Sequence, residues 1–302
     1  MQEILIKAGC YITVIILGIV LRRVGFFKAE DFSVLSKIVI KITLPAALIS
    51  SGAGREISPA MLTISLLGFG GGVIYMAMGY LINQKKSKED QAFEILNIPG
   101  YNIGTFALPF TQNFLGSAGV VTTSLFDMGN AFICLGVAFG AASSVKDGKG
   151  FDVKRVLSAL ATSIPFLTHI LVVTLNLLHL QIPEPVISCA GIISNANAFL
   201  AMLMIGVGIN LSGDFGPLGR IVRILGVRYG IAALLALAFY FLLPFGLEVR
   251  QTLVILAFSP MGSVMPGFTA ELNGDVGLSC TLNSLSILIS TVIIVALLVV
   301  ML

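Results

Sequence analysis

Runs of roughly twenty apolar residues recur along this chain with only short polar stretches between them, the length a helix needs to cross a bilayer. Hydrophobic residues make up 57% of the 302 and charged residues 11%, where a soluble domain carries about 25% charged residues. In hydrocarbon a freed N–H or C=O costs several kcal/mol unless protein or water satisfies it. The chain therefore reads as an all-α integral membrane protein. Ten spans of roughly 20 residues would use about 200 of its residues and leave no room for a soluble domain.

The spans run near 4–21, 32–51, 61–82, 91–114, 120–143, 156–178, 186–211, 221–243, 251–272 and 276–302. The fourth and ninth stand out. Asn97-Ile-Pro-Gly-Tyr-Asn-Ile-Gly-Thr-Phe-Ala-Leu-Pro109 and Ser259-Pro-Met-Gly-Ser-Val-Met-Pro-Gly267 each put two prolines and two glycines where a helix should continue. Such a break at membrane depth is tolerated where it lines a cavity, and paired breaks in two halves of a chain point to a transporter's binding site. Pro109 and Pro260 are 151 residues apart, half the chain. Five spans per half force the halves into opposite orientation, an inverted repeat over 1–145 and 152–302 with the polar stretch 144–154 as a cytoplasmic linker.

Basic residues set the orientation. Arg22, Arg23, Lys28, Lys85, Lys86, Lys88, Lys146, Lys149, Lys154, Arg155, Arg220 and Arg223 fall in odd-numbered loops. Only Lys7, Arg55 and Arg250 fall on the other side. That asymmetry places both termini outside the cell in an inner-membrane, multi-pass topology. No basic cluster supports nucleic-acid binding. No cleavable signal peptide is expected, because Arg22-Arg23 closes the first run and no small-residue cleavage site follows. Cys10, Cys134, Cys189 and Cys280 are widely spaced in apolar runs, form no metal-ligand pattern and read as small core hydrophobes.

Opposed broken helices bring N-terminal N–H groups towards the midplane, where an anion can bind without a full countercharge. The residues expected to bind substrate are Asn102, Gly104, Thr105 and Pro109 in span 4 and Ser259, Pro260, Gly262, Ser263 and Pro266 in span 9. Their alternative role is to satisfy the broken backbone. Lys41 lies about 15 Å beyond Asp31 along a helix, near the midplane. A charge there costs at least about 2.5–3.5 kcal/mol, so it needs a cavity or a partner. It reads either as a countercharge to an anionic substrate or as an ion pair with Asp127. Asp127 and Asn130 in span 5 are candidate coupling residues for a proton or Na⁺, Asp127 alternatively pairing with Lys41 or Arg228. Arg228 and His169 are expected to be structural, Glu271 solvated. Asn195 and Asn197 also join the candidate set, although at two residues' separation they point in different directions on a regular helix. No hydrolytic or nucleotide-binding signature occurs, so neither an enzyme nor a cofactor is expected.

At this level the sequence resembles the auxin efflux carrier family and its bacterial malate/malonate permease-like branch. The resemblance rests on Lys37-Ile-Val-Ile-Lys-Ile-Thr-Leu-Pro-Ala-Ala-Leu48, Asn102-Ile-Gly-Thr-Phe-Ala-Leu-Pro-Phe110, Phe126-Asp-Met-Gly-Asn130 and Pro260, and follows the whole chain in span order. It implies ten helices in two inverted repeats. Spans 1, 2, 6 and 7 would form a scaffold. The rest would form a transport domain whose spans 4 and 9 cross at Pro109 and Pro260. It also implies a carboxylate substrate and alternating access. Two features depart from the family pattern and bear on substrate choice: Asn195-Ala-Asn197 where relatives often carry proline, and Lys41 at a variable position. A gated anion channel and a carboxylate sensor are the competing readings. The expected partners are the bilayer and a small carboxylate, with a homodimer left open.

Overall fold

A computed structural model describes residues 2–52, 54, 57–148, 150–209 and 218–302. Arg55 and Lys149 of the charge reading, and the end of the seventh run at Leu211, lie outside them. Among the described residues all regular structure is helical. In chain order the helices are α1 (Gln2–Arg23), α2 (Asp31–Ile38), α3 (Leu44–Gly52), α4 (Thr63–Leu81), α5 (Lys88–Asn97), α6 (Leu108–Phe114), α7 (Gly116–Phe132) and α8 (Ala138–Asp147). They continue with α9 (Val153–Thr162), α10 (Ile164–Leu177), α11 (Glu184–Ser194), α12 (Asn197–Gly208), α13 (Leu218–Leu242), α14 (Leu247–Ala257), α15 (Met265–Glu271) and α16 (Val276–Met301). π-Helical turns at Val39–Thr43, Ile103–Ala107 and Ile133–Val137 lead from α2 into α3, into α6, and from α7 into α8.

Seven of these runs are long and apolar enough to cross a bilayer, and α9 with α10, bent by 73°, would make an eighth. The chain is a multi-pass membrane protein. Large apolar side chains such as Leu234, Phe241, Val292 and Val300 are exposed, while Asn97, Asn130, Arg228 and Ser290 are buried. That distribution suits hydrocarbon outside and polar contacts within.

Polar caps start several helices. Ser87 accepts the Asp90 N–H at 3.1 Å, Asp152 that of Arg155 at 3.0 Å and Asp275 that of Leu278 at 2.8 Å. The sixth run, expected as one helix, is two. Pro165 sits in the first turn of α10, Ser163 is extended and caps Phe166, and α9 stops at Thr162. Pro165 has no N–H for the Ala161 carbonyl and its ring would clash with it, so one helix cannot run through this point and the chain bends.

Close helix contacts use glycine. A Cβ on Gly68 would meet the Phe126 carbonyl at 2.1 Å, and one on Gly129 the Ser65 carbonyl at 1.8 Å, so α4 and α7 touch backbone to backbone. Gly18 and Gly206 bring α1 against α12 in the same way. Two groups of helices emerge from the packing. α1, α2–α3, α10 and α11–α12 contact one another; α4, α5–α6, α7–α8 and α13 to α16 form the other, with α10 and α3 meeting α7 between them.

The first break falls at the start of the expected stretch 97–109. α5 ends before Pro99-Gly100, whereas Pro109 lies in the first turn of α6. A first-turn proline costs no hydrogen bond. The π-turn ahead of it, with the Ala107 N–H on the Asn102 carbonyl, takes up the misfit. The second break lies between Ala257 and Met265 and contains Pro260.

The four cysteines are free. Cys134 is buried and Cys280 partly so, but Cys10 and Cys189 are exposed rather than in the core.

Candidate functional site

The two breaks touch. The Asn102 N–H donates to the Pro260 carbonyl at 2.9 Å, joining the start of the π-turn to the unwound stretch before α15. Each break leaves backbone groups that its own helix cannot pair, and side chains from neighbouring helices supply partners.

Asn130, on α7, does so for the first break. Its Oδ1 accepts the Tyr101 N–H at 2.9 Å and its Nδ2 donates to the Tyr101 carbonyl at 2.8 Å, so one buried amide stands in for a backbone neighbour. The same Nδ2 donates to Asp127 Oδ1 at 2.9 Å. One helical turn separates Asp127 from Asn130, so both reach the break. Gly100 makes the chain reversal possible. Its φ is +77°, and a Cβ there would meet Met265 Cε at 2.7 Å and Cys134 Sγ at 2.9 Å.

Asn283 and Ser286, on α16, serve the second break. Asn283 Nδ2 donates to the Gly262 carbonyl at 3.2 Å, and Ser286 Oγ accepts the Met261 N–H at 3.1 Å. The N–H groups of Gly262, Ser263 and Val264 find no acceptor among the described residues.

Asp127 pairs with neither Lys41 nor Arg228. Its Oδ2 lies 3.2 Å from His169 Nε2 on α10. The pair bridges the two helix groups. His169 is 3% exposed and its Nδ1 has no partner among the described residues. Arg228 is 1% exposed on α13 and reaches both breaks, donating to the carbonyls of Ile98, Gly100 and Ser259.

Two cavities flank the contact. One, of about 370 Å³, runs between the helix groups from Arg22 and Phe32 to Asn102, Ser263, Pro266 and Asn283. Arg22 is its one charged lining residue among those described, and it also donates to the Val207 carbonyl at 2.6 Å. The other, of about 170 Å³, is lined by Asn102, Gly104, Thr105, Asp127, Asn130, His169, Gly262 and Ser263. The Arg22 cavity and the Asp127 cavity share Asn102 and Ser263. Thr105 Oγ1 donates to Asn102 Oδ1, while Asn102 Nδ2 has no acceptor among the described residues. Free donors thus cluster where the cavities meet.

The remaining expected site residues lie elsewhere. Pro109 lies in α6, Ser259 and Pro260 lie in the second break, and none of the three lines either cavity; the Ser259 hydroxyl is buried without a partner among the described residues. Lys41 is exposed on its π-turn and outside both cavities. Asn195 is exposed, whereas Asn197 is buried and accepts from Thr43 at 2.9 Å, as their spacing requires. Glu271, expected to be solvated, is partly exposed and forms a two-pronged pair with Arg155 at 2.6 and 2.7 Å.

Residues 10–149 match the sequence model of a family described as membrane transport protein. An uncharacterized transporter of Methanothermobacter thermautotrophicus is 24% identical over 289 residues, which cover 93% of each chain.

Proposed function

We propose, for a chain that belongs to the auxin efflux carrier family of membrane transport proteins, that the contact between its two breaks binds a small organic anion during secondary transport by alternating access. The observation that carries this reading is the pair of cavities meeting at Asn102 and Ser263, between two separately packed helix groups.

In this reading the two broken runs are crossings, so ten crossings form two inverted five-span repeats. α1, α2–α3, α9–α10 and α11–α12 are the scaffold; the other helices move. With the basic loops in the cytoplasm of an inner membrane, the Arg22 cavity opens inward. The substrate class is a mono- or dicarboxylate. Asn102 Nδ2 and the N–H groups of Gly262 to Val264 are its donors, and Arg22 draws the anion into the cavity. A site of neutral donors holds one negative charge and releases it again. Lys41, outside both cavities, contributes less than Arg22.

Asp127 is the coupling group, and a proton is the coupling ion. A charged Asp127 with a protonated His169 ties α7 to α10. Protonating Asp127 weakens the tie and frees the moving group. Uptake of labelled malate and malonate into liposomes, with and without a pH gradient, tests this. Saturable uptake raised by the gradient is expected, and Asp127→Asn should retain exchange but lose the response to the gradient. Ohmic conductance without saturation would favour a channel and overturn the reading.

A further inference from the structure

Arg228 has no carboxylate within ion-pair distance among the described residues, yet it is buried at membrane depth. A lone cation there is costly unless the surroundings supply negative potential. Two helix ends supply it. α5 stops at Asn97 and α14 at Ala257, and Ile98, Gly100 and Ser259, whose carbonyls receive the guanidinium, follow those ends directly. Each helix C-terminus carries about half a negative charge. Two of them together match one guanidinium. The rings of Tyr75 and Tyr101 lie 5.0 and 5.6 Å from its central carbon and add negative faces. The cation comes from α13, an unbroken helix, so it is held in place covalently.

Unwound carbonyls and half-helix C-terminal ends are the groups that coordinate a coupling Na⁺ in carriers with broken helices. Here an arginine already occupies them. The geometry points to Arg228 as a built-in cation that replaces a bound metal cation between the two breaks, so that this site takes up no Na⁺ during transport. The inference rests on the transport reading for its consequence, but occupancy of the carbonyl cluster is measurable without transport. Arg228 acts through the backbone it neutralises and is a positioning residue.

The test uses purified full-length protein. The melting temperature of the wild type should be the same in sodium, potassium and choline chloride at equal ionic strength. Arg228→Ala should melt lower and lose most uptake. Low-millimolar methylguanidinium should raise its melting temperature saturably, restore part of any uptake and leave the wild type unaffected. Rescue confined to the variant shows that a guanidinium fills the vacated carbonyl cluster, and the sodium indifference of the wild type shows that no metal cation shares it. A saturable, sodium-specific rise in wild-type melting temperature would overturn the inference, as would a folded Arg228→Ala indifferent to methylguanidinium. If Arg228→Ala does not fold, Arg228→Lys keeps the charge with one nitrogen. It should fold and stay indifferent to sodium; sodium-specific stabilisation of it would count against the inference. If no substrate is transported, the melting data still decide who fills the cluster, separately from the transport reading.

Discussion

The two breaks are built alike and finished differently. In each, an asparagine from the following span donates to a carbonyl of the unwound stretch: Asn130 to Tyr101 and Asn283 to Gly262. In each, Arg228 donates to carbonyls that follow the end of the preceding helix. The first break is nevertheless buried and tightly paired, with Tyr101 held through both its N–H and its C=O. The second leaves Ser263 and Val264 exposed, with N–H groups unpaired among the described residues. Three residues before Asn130 stands Asp127; three before Asn283 stands Cys280. At this position a carboxylate therefore stands beside the first break and a thiol beside the second. The two breaks share these backbone contacts and differ in chemistry: a carboxylate stands beside the first, and the free backbone N–H groups lie in the second.

The largest effect expected from breaking this difference is in Asn130→Ala against Asn283→Ala. Losing Asn130 leaves two buried Tyr101 groups unpaired, at about 1–3 kcal/mol each. Losing Asn283 removes one partly exposed bond, worth about 1 kcal/mol. Thermal unfolding in detergent should show a much lower melting temperature for the first, and equal shifts would contradict the asymmetry. Next comes Gly100→Ala, where a left-handed residue and two close side chains should cost about 1–3 kcal/mol or more. Gly267, inside α15 with nothing within 4 Å of an added Cβ, should gain about 0.5–1 kcal/mol on the same change.

Much of this was legible because Pro, Gly and Asn inside apolar runs are locally conspicuous. Asn102, Thr105, Ser263, Asp127 and Asn130 were singled out that way, and they share the wall of one cavity. Long-range partners left no such trace. His169 lies 42 positions from Asp127 and Arg228 lies 130 from Ile98, so no spacing rule joins them. Arg22 read as a loop charge closing α1, because nothing local says that a cavity reaches it. Pro109 misled for a different reason: proline breaks a helix in its interior but is accommodated in a first turn.

A smaller effect is expected at the far end of the second broken helix. Arg155→Ala removes the Glu271 pair, whose side chains are 35% and 48% exposed. The loss should be about 1 kcal/mol or less, and should fade at high salt. A larger, salt-independent loss would show that this end of α15 is anchored as firmly as the first break.

The meeting point of the two cavities is the proposed carboxylate site. The direct test is maleimide labelling of Ser263→Cys in a background lacking Cys10, Cys134, Cys189 and Cys280, with and without malonate or malate. Ser263 is exposed and lines both cavities, so rapid labelling is expected. A carboxylate that is transported should slow it saturably, with the half-effect near the concentration that half-saturates uptake. Labelling at an unchanged rate in the presence of a carboxylate that the protein demonstrably transports would place the site elsewhere and contradict the account.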